Sequence, residues 1–584
     1  MRSSTYEHLP RKPNSDSISR LLDQLDELKT QFGSPGYRTV DRILSRLART
    51  EITDLDVLVR FHELLLFIRA YPENARVMKL AESQLKSFGK RVEVLRTAEV
   101  DLSPIESPEV SGIAGTSVTD TFTFPIVRWL IKQHPGATSL NWDWFEDENR
   151  LSESWPRFIP LLAEDALVEA NVPYQLWLKT AKGRAGNDLT WLIRRFDSLN
   201  LPDKDKAELF NAQKLYTTWT PPYRATRTGM GLQPAGARKT YYHREPLIQR
   251  RDVSFQDELS KRPTPLERVS VKDGEAILNL TREASTIRYR ELYGFTHGDP
   301  ARVFNTHLGR GVDLFVIGLP PAVRLPLRAY HAAMIFKNGV AVGYFEGLSL
   351  FERMESGFNL YYTFRDGETA WLYARILNVF HKLLGVSAFA IDPYQIGHEN
   401  EEGIESGAFW FYRKLGFRPT RPEILKLVLN EESKIASRAG YRTSAATLRK
   451  LAAGPMIFEL DKARAKSQAG DWDRFAVRNI GLAVARRMGS KFGGDAEKFR
   501  AASVKSLNRI LGLTQGDWSE AELPALSYLA VTLSLTGDLH LWNDEERQAL
   551  VKVIRAKAAA DEGRYLHAMQ KHARLRSAMI DLGS

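Results

Sequence analysis

The stretch ESGAFWFYRKLGFRPT, Glu405 to Thr420, reads as a short helix that Gly416 stops. Tyr412 inside it is either an ordinary core residue or a proton donor. Arg413 and Lys414 fall in the last turn, where the helix dipole favours bases. Other patterns with chemical potential fall short. His62 opens HELLL, which lacks the second His of a zinc helix. GMGLQP at Gly229 lacks the third Gly of a dinucleotide fingerprint, and no strand precedes it. GIESG at Gly403 has its Ser in the wrong place for a nucleophile elbow. No GxxxxGK[ST] loop is present. The chain has no Cys, which removes disulfides, thiolate nucleophiles, iron–sulfur clusters and Cys-type zinc sites. We expect no metal.

The elements around Tyr412 follow from hydrophobic periodicity. GVDLFVIGL, AYHAAMIF, VAVGYFEG and GFNLYYTF are short apolar runs and read as four antiparallel strands. KNG, with Asn338-Gly339, joins the second and third as a tight hairpin. TAWLYARILNVFHKLL has an apolar stripe at Ala370, Tyr373, Ile376, Leu377, Phe380, Leu383 and Leu384, and Gly385 ends it. VSAFAID is a further strand, parallel to the one before the helix. After the Tyr412 helix, ILKLVL reads as a last strand. The expected fold class is α+β: a central mixed sheet with crossover helices, flanked by mostly helical N- and C-terminal regions. The divisions are a disordered tail 1–15, a helical domain 16–115, a Trp-rich helical region 116–235, a linker with leading helices 236–310, the sheet module 311–430 and a basic helical domain 441–584. Residues 101–120 read as a linker or long loop. Residues 221–252 combine Gly, Pro, bases and Tyr, and are either a basic arm for phosphates or a connecting segment laid over a surface.

The chain has 584 residues and a net charge of +11, with 26 % charged residues, so it is globular. Residues 441–584 hold 23 Lys and Arg against 16 Asp and Glu, whereas 311–430 hold 12 of each sign. A basic flank suits either a solvated surface or an anionic partner such as nucleic acid. No apolar run approaches the ~20 residues of a membrane span. The N-terminus has no apolar signal-peptide region, and the expected location is cytoplasmic.

The order of elements over 311–430 resembles the GNAT superfamily of N-acetyltransferases. ESGAFWFYRKLGF resembles that family's C-terminal motif at Ala408, Phe411, Tyr412, Lys414, Gly416 and Phe417. YYTFRDGETAWLYARILNVF occupies the place of its strand, phosphate loop and helix, and FKNGVAVGYFEG resembles the two preceding strands. The resemblance implies acetyl-CoA or another acyl-CoA as co-substrate. It would be held along Tyr362, Thr363, Phe364, Arg365, Asp366, Gly367, Glu368, Thr369 and Ala370, where a helix N-terminus meets the pyrophosphate. It implies Tyr412 as the acid that protonates the departing thiolate. It implies Glu346, at the end of the third strand, as the base for an incoming ammonium. His398 and Glu405 are further candidates, and the acidic run HENEEGIE either selects a cationic acceptor or is a surface loop. Asp366 and Glu368 flank the loop's sole glycine, and two carboxylates repel a pyrophosphate unless their side chains point away.

Two function classes follow. One is an N-acyltransferase moving an acyl group to an amine-bearing acceptor, with an aminoacyl-tRNA donor as a variant. The other is a binding scaffold that holds nucleic acid or another acidic partner through its basic flanks. The sequence leaves the oligomeric state open.

Overall fold

The computed structural model describes residues 15–145, 148–162, 172–232, 239–262, 264–460 and 470–584. The expected tail at 1–15 lies outside them except for Ser15, which opens a helix. The N-terminal part is helical, from α1 (Ser15–Leu28) to α2 (Leu55–Ala70) and beyond. Asp54 caps α2 by accepting from the Val57 N–H at 3.0 Å. The Trp-rich region holds helices around a small antiparallel sheet of β1 (Val118–Asp120), β2 (Thr138–Leu140) and β3 (Thr217–Trp219), with β3 central. Strands of three residues are too short to show alternation, so the sequence pattern misses them.

The centre is a nine-stranded mixed sheet. In chain order its strands are β4 (Glu267–Arg268), β5 (Val303–Gly309), β6 (Val312–Ile317), β7 (Ala329–Lys337), β8 (Val340–Leu350), β9 (Arg353–Leu360), β10 (Ala388–Ile391), β11 (Arg418–Pro419) and β12 (Met456–Glu459). They lie in the order β11-β12-β10-β9-β8-β7-β6-β5-β4. All neighbours are antiparallel except β9 and β10, which run parallel. The sheet draws β4 and β5 from before residue 311 and β12 from after residue 441, so it is wider than the module read from the sequence.

Asn338 (φ 47°) and Gly339 (φ 79°) form the hairpin between β7 and β8. The Asn338 side chain also donates to the carbonyls of Ala70 at 2.8 Å and Tyr241 at 3.0 Å. That ties the hairpin to the N-terminal helices and to the 221–252 stretch, whose described residues are laid against the sheet rather than held out as an arm. Residues 101–120 are pinned too: the Ser111 hydroxyl donates to the Ile287 carbonyl at 2.7 Å.

Two further helices, α3 (Phe255–Ser260) and α4 (Val271–Thr286), lead into the sheet. The connection from β9 to β10 runs through α5 (Thr369–Leu384), which ends at Gly385 in the left-handed region. α5 covers one face: Phe380 stacks on Phe345 at 4.9 Å, and the Tyr373 and Ser356 hydroxyls share a 2.8 Å hydrogen bond. The other face meets the turn at Gly294, whose N–H donates to the Tyr330 hydroxyl at 3.1 Å. After β10 come α6 (Glu401–Glu405), α7 (Ala408–Lys414), α8 (Pro422–Ser437), α9 (Val477–Phe492) and α10 (Glu562–Gln570). The C-terminal helices dock on the sheet, where Tyr565 donates to the Leu327 carbonyl at 2.7 Å.

Two sequence readings change. The run ILKLVL is not a strand but the start of α8. Pro422 sits at its first position, where no N–H is needed, and Ile424 and Val428 are buried one turn apart. β11 and β12 take the expected strand's place. The Tyr412 helix does not begin at Glu405 either. Gly407, at φ 65°, separates α6 from α7.

Candidate functional site

β9 is longer than its parallel neighbour. Arg353, Met354 and Glu355 pair with Ala388, Phe389 and Ala390, and from Ser356 onward β9 pairs only with β8. The sheet therefore opens beside the second half of β9. A cavity of about 690 Å³ lies there. Phe358, Asn359 and Leu360 of β9 form one wall, Arg365, Asp366, Gly367, Thr369 and Ala370 the next, and Ala408, Phe411 and Tyr412 of α7 the third. Asp26 of α1, Lys29 and Thr30 just after it, and residues 246–250 close it from outside the module.

Tyr412 is 4 % exposed and packs edge-on against Tyr373 at 5.7 Å and Phe417 at 5.6 Å. Its hydroxyl has no hydrogen-bond partner among the described residues. Burial raises its pKa well above the ordinary phenol value, so it stays protonated. It is an oriented, neutral donor on a cavity wall.

The start of α5 forms the opposite wall. Its N-cap residue, Glu368, gives no side-chain cap. The two feared carboxylates are both accounted for. Glu368 is 2 % exposed and turns away into a buried cluster, 2.6 Å from Arg310 and 3.6 Å from Lys337, and its Oε1 accepts the Ile248 N–H at 3.1 Å. Burial pulls Lys337 down to about 7 against the attraction of Glu368. Asp366 is neutralised by Lys29 at 2.7 Å, and Lys29 also meets Asp26 at 2.7 Å. Burial opposes the Lys29 charge, but these two carboxylates outweigh it and raise its pKa. Arg365 is paired with Glu402, which also meets Arg290 at 3.3 Å. Burial works against the Glu402 charge, yet Arg365 and Arg290 hold its pKa low. The wall carries three cations, Lys29, Arg250 and Arg365, and three anions, Asp26, Asp366 and Glu402. Only Arg250 among these cations has no carboxylate partner among the described residues.

Gly367 has a packing reason to be Gly. A Cβ there would overlap the Tyr71 hydroxyl. Gly367→Ala is therefore expected to cost about 1–3 kcal/mol. Tyr71→Phe removes the nearest obstructing atom but leaves the ring carbon Cζ 2.7 Å from the added Cβ, so the cost should shrink only in part in that background. Chemical denaturation of the two singles and the double checks this, and an equal cost in both backgrounds would refute the packing role.

The other sequence candidates disperse. Tyr362 is 70 % exposed and does not line the cavity. Phe364 is core, and Thr363 turns inward to donate to Glu63. Glu346 lies in the middle of β8, not at its end, and accepts from the Tyr330 hydroxyl. Burial raises its pKa despite that bond. It is off the cavity wall, but Gln395 on that wall reaches toward it over the bare backbone of Gly357. A Cβ at Gly357 would lie 3.8 Å from the Gln395 Nε2 and 3.9 Å from the Glu346 Cβ. His398 lines a different cavity, among arginines, where a cationic acceptor has no place. Glu405 is exposed and lines neither. Elsewhere in the acidic run, Glu401 pairs with Arg449 at 2.7 Å, so its charge is spent on the fold.

Sequence reading missed Asp26, Lys29 and residues 246–250, because only long-range packing brings them to the wall. Among the described residues, no group of three or more His, Asp or Glu could hold a metal ion, and no helix is long and apolar enough to cross a membrane. No family model matches the chain, and no curated protein or solved structure matches it.

Proposed function

We propose that the chain is an N-acyltransferase of GNAT-like fold, moving an acyl group from acyl-coenzyme A to an amine. The observation that carries this reading is the cavity where β9 outruns β10, with the uncapped start of α5 on one wall and neutral Tyr412 on another. The antiparallel run β6 to β9 and the passage through α5 to parallel β10 support it. Thr369 and Ala370 at the α5 N-terminus would face the donor's phosphates, with Arg250 as the available cation. The free amine attacks the thioester carbonyl, the carbon–sulfur bond breaks as the Tyr412 hydroxyl protonates the leaving thiolate, and the second proton the nitrogen sheds as the amide forms restores the phenol. Glu346, reached past Gly357 through water, takes the ammonium proton.

Titration calorimetry with acetyl-CoA tests the donor. Saturable heat is expected, and ligand at 100 times Kd stabilises the fold by about 2.7 kcal/mol. Absence of both heat and a thermal shift at millimolar acetyl-CoA would end this reading. The charge balance of the wall favours one alternative, a donor carried on RNA, whose phosphates would lie outside the cavity. In that case binding of aminoacyl-tRNA should fall steeply with salt, and a flat response would dismiss it.

A further inference from the structure

A second cavity, of about 400 Å³, lies against the end of β10 and the start of α9. Four arginines line it: Arg328, Arg353, Arg421 and Arg478. Two carboxylates share the lining, Glu355 and Asp392. Glu355 is shared by Arg328 at 3.5 Å and Arg353 at 3.6 Å, and Asp392 accepts the Tyr394 N–H at 2.9 Å. Arg421 and Arg478 have no carboxylate partner among the described residues. His398 stands on the same wall.

Two further observations point to an anion. Arg353 is 7 % exposed, and its Nε has no hydrogen-bond partner. A buried guanidinium N–H without an acceptor is an unmet demand. The helix α9, of 16 residues, begins on this wall with Ala476 as N-cap and no side-chain cap. The Ala476 N–H is spent on the Gly583 carbonyl at 2.9 Å. The N–H groups of Val477 and Arg478 have no partner among the described residues. A helix start aims partial positive charge at this space.

We infer that this cavity binds the phosphoryl group of a small phosphorylated molecule. A tetrahedral oxyanion has enough acceptors for the Arg353 Nε, the α9 N–H groups and the two uncommitted arginines at once. Arg353 also lies over the Phe475 ring at 5.7 Å, which fixes the guanidinium plane. The inference stands apart from the proposed acyl transfer, since the first cavity shares no lining residue with this one.

The test is titration calorimetry of the full chain with inorganic phosphate at constant ionic strength. One saturable site in the millimolar range or tighter is expected. Arg421 and Arg478 are exposed, so their substitution leaves the core intact. Arg421→Ala and Arg478→Ala should each weaken binding by about tenfold. Lys79→Ala and Lys86→Ala, at another basic cavity, should leave it unchanged. Absence of saturable binding, or an affinity that both arginine variants leave intact, would overturn the inference.

Discussion

Tyr412→Phe is expected to lower kcat by about 10²-fold, with donor affinity changed by less than about threefold. The substitution removes one oxygen and nothing else. The ring is held by Tyr373, Phe411 and Phe417, and none of these contacts involves the hydroxyl. The hydroxyl bonds to no described residue, so the fold loses no hydrogen bond, and the thermal midpoint should stay where it is. Because burial raises the phenol's pKa, kcat should show no alkaline decline from this group below about pH 10. Steady-state kinetics and donor titration separate the two effects. A variant that turns over at the wild-type rate removes Tyr412 from the chemistry and leaves it as packing.

The second large effect is on stability. Glu63→Ala is expected to destabilise the fold by about 3–5 kcal/mol. Glu63, on α2, joins three parts of the chain. Arg227 donates to its Oε2 at 2.7 Å, Thr363 donates to the same oxygen, and its Oε1 lies 2.8 Å from the His62 Nδ1. The Arg227 side chain is 2 % exposed, so removing Glu63 strands a buried cation. Burial opposes the Glu63 charge, but Arg227 and these hydrogen bonds hold its pKa down to about 2, against 4.5 for a free carboxyl. The sign follows from this depression. The contribution is fully present above about pH 4.5 and is lost as pH falls toward about 2. Denaturation at neutral pH and at pH 3 should show a wild-type advantage that shrinks in acid. An advantage equal at both pH values would contradict the assignment, as would a neutral-pH difference below about 1 kcal/mol.

The sheet was legible where local signals agree. Asn338-Gly339 marks its hairpin by turn chemistry, and the apolar stripe of α5 runs without a break into its Gly385 stop. Legibility failed where length or context decides. ILKLVL is apolar enough for a strand, and only Pro422 before it signals a helix start. MIFE at β12 is too short to announce itself. At the site, it was the resemblance of the element order to GNAT that implied Tyr412 and the turn from Arg365 to Ala370 together. The fate of Asp366 and Glu368 could not be read, because Lys29 and Arg310 arrive from distant positions. Glu63, the residue with the largest expected energetic weight, carries no motif. Its importance arises only when Arg227 and Thr363, far apart in the chain, meet it beside a buried guanidinium.

The two outermost strands of the large sheet are each a dipeptide, Glu267–Arg268 and Arg418–Pro419. One presents two charges, and the other a charge and a residue without an N–H. Long apolar strands such as β7, buried along its whole length, sit several places inside. Each outermost strand offers a second chain only two residues, and one of them is a proline that cannot donate. Edge strands this short, charged or proline-bearing disfavour extension of the ladder at the two ends of the large sheet.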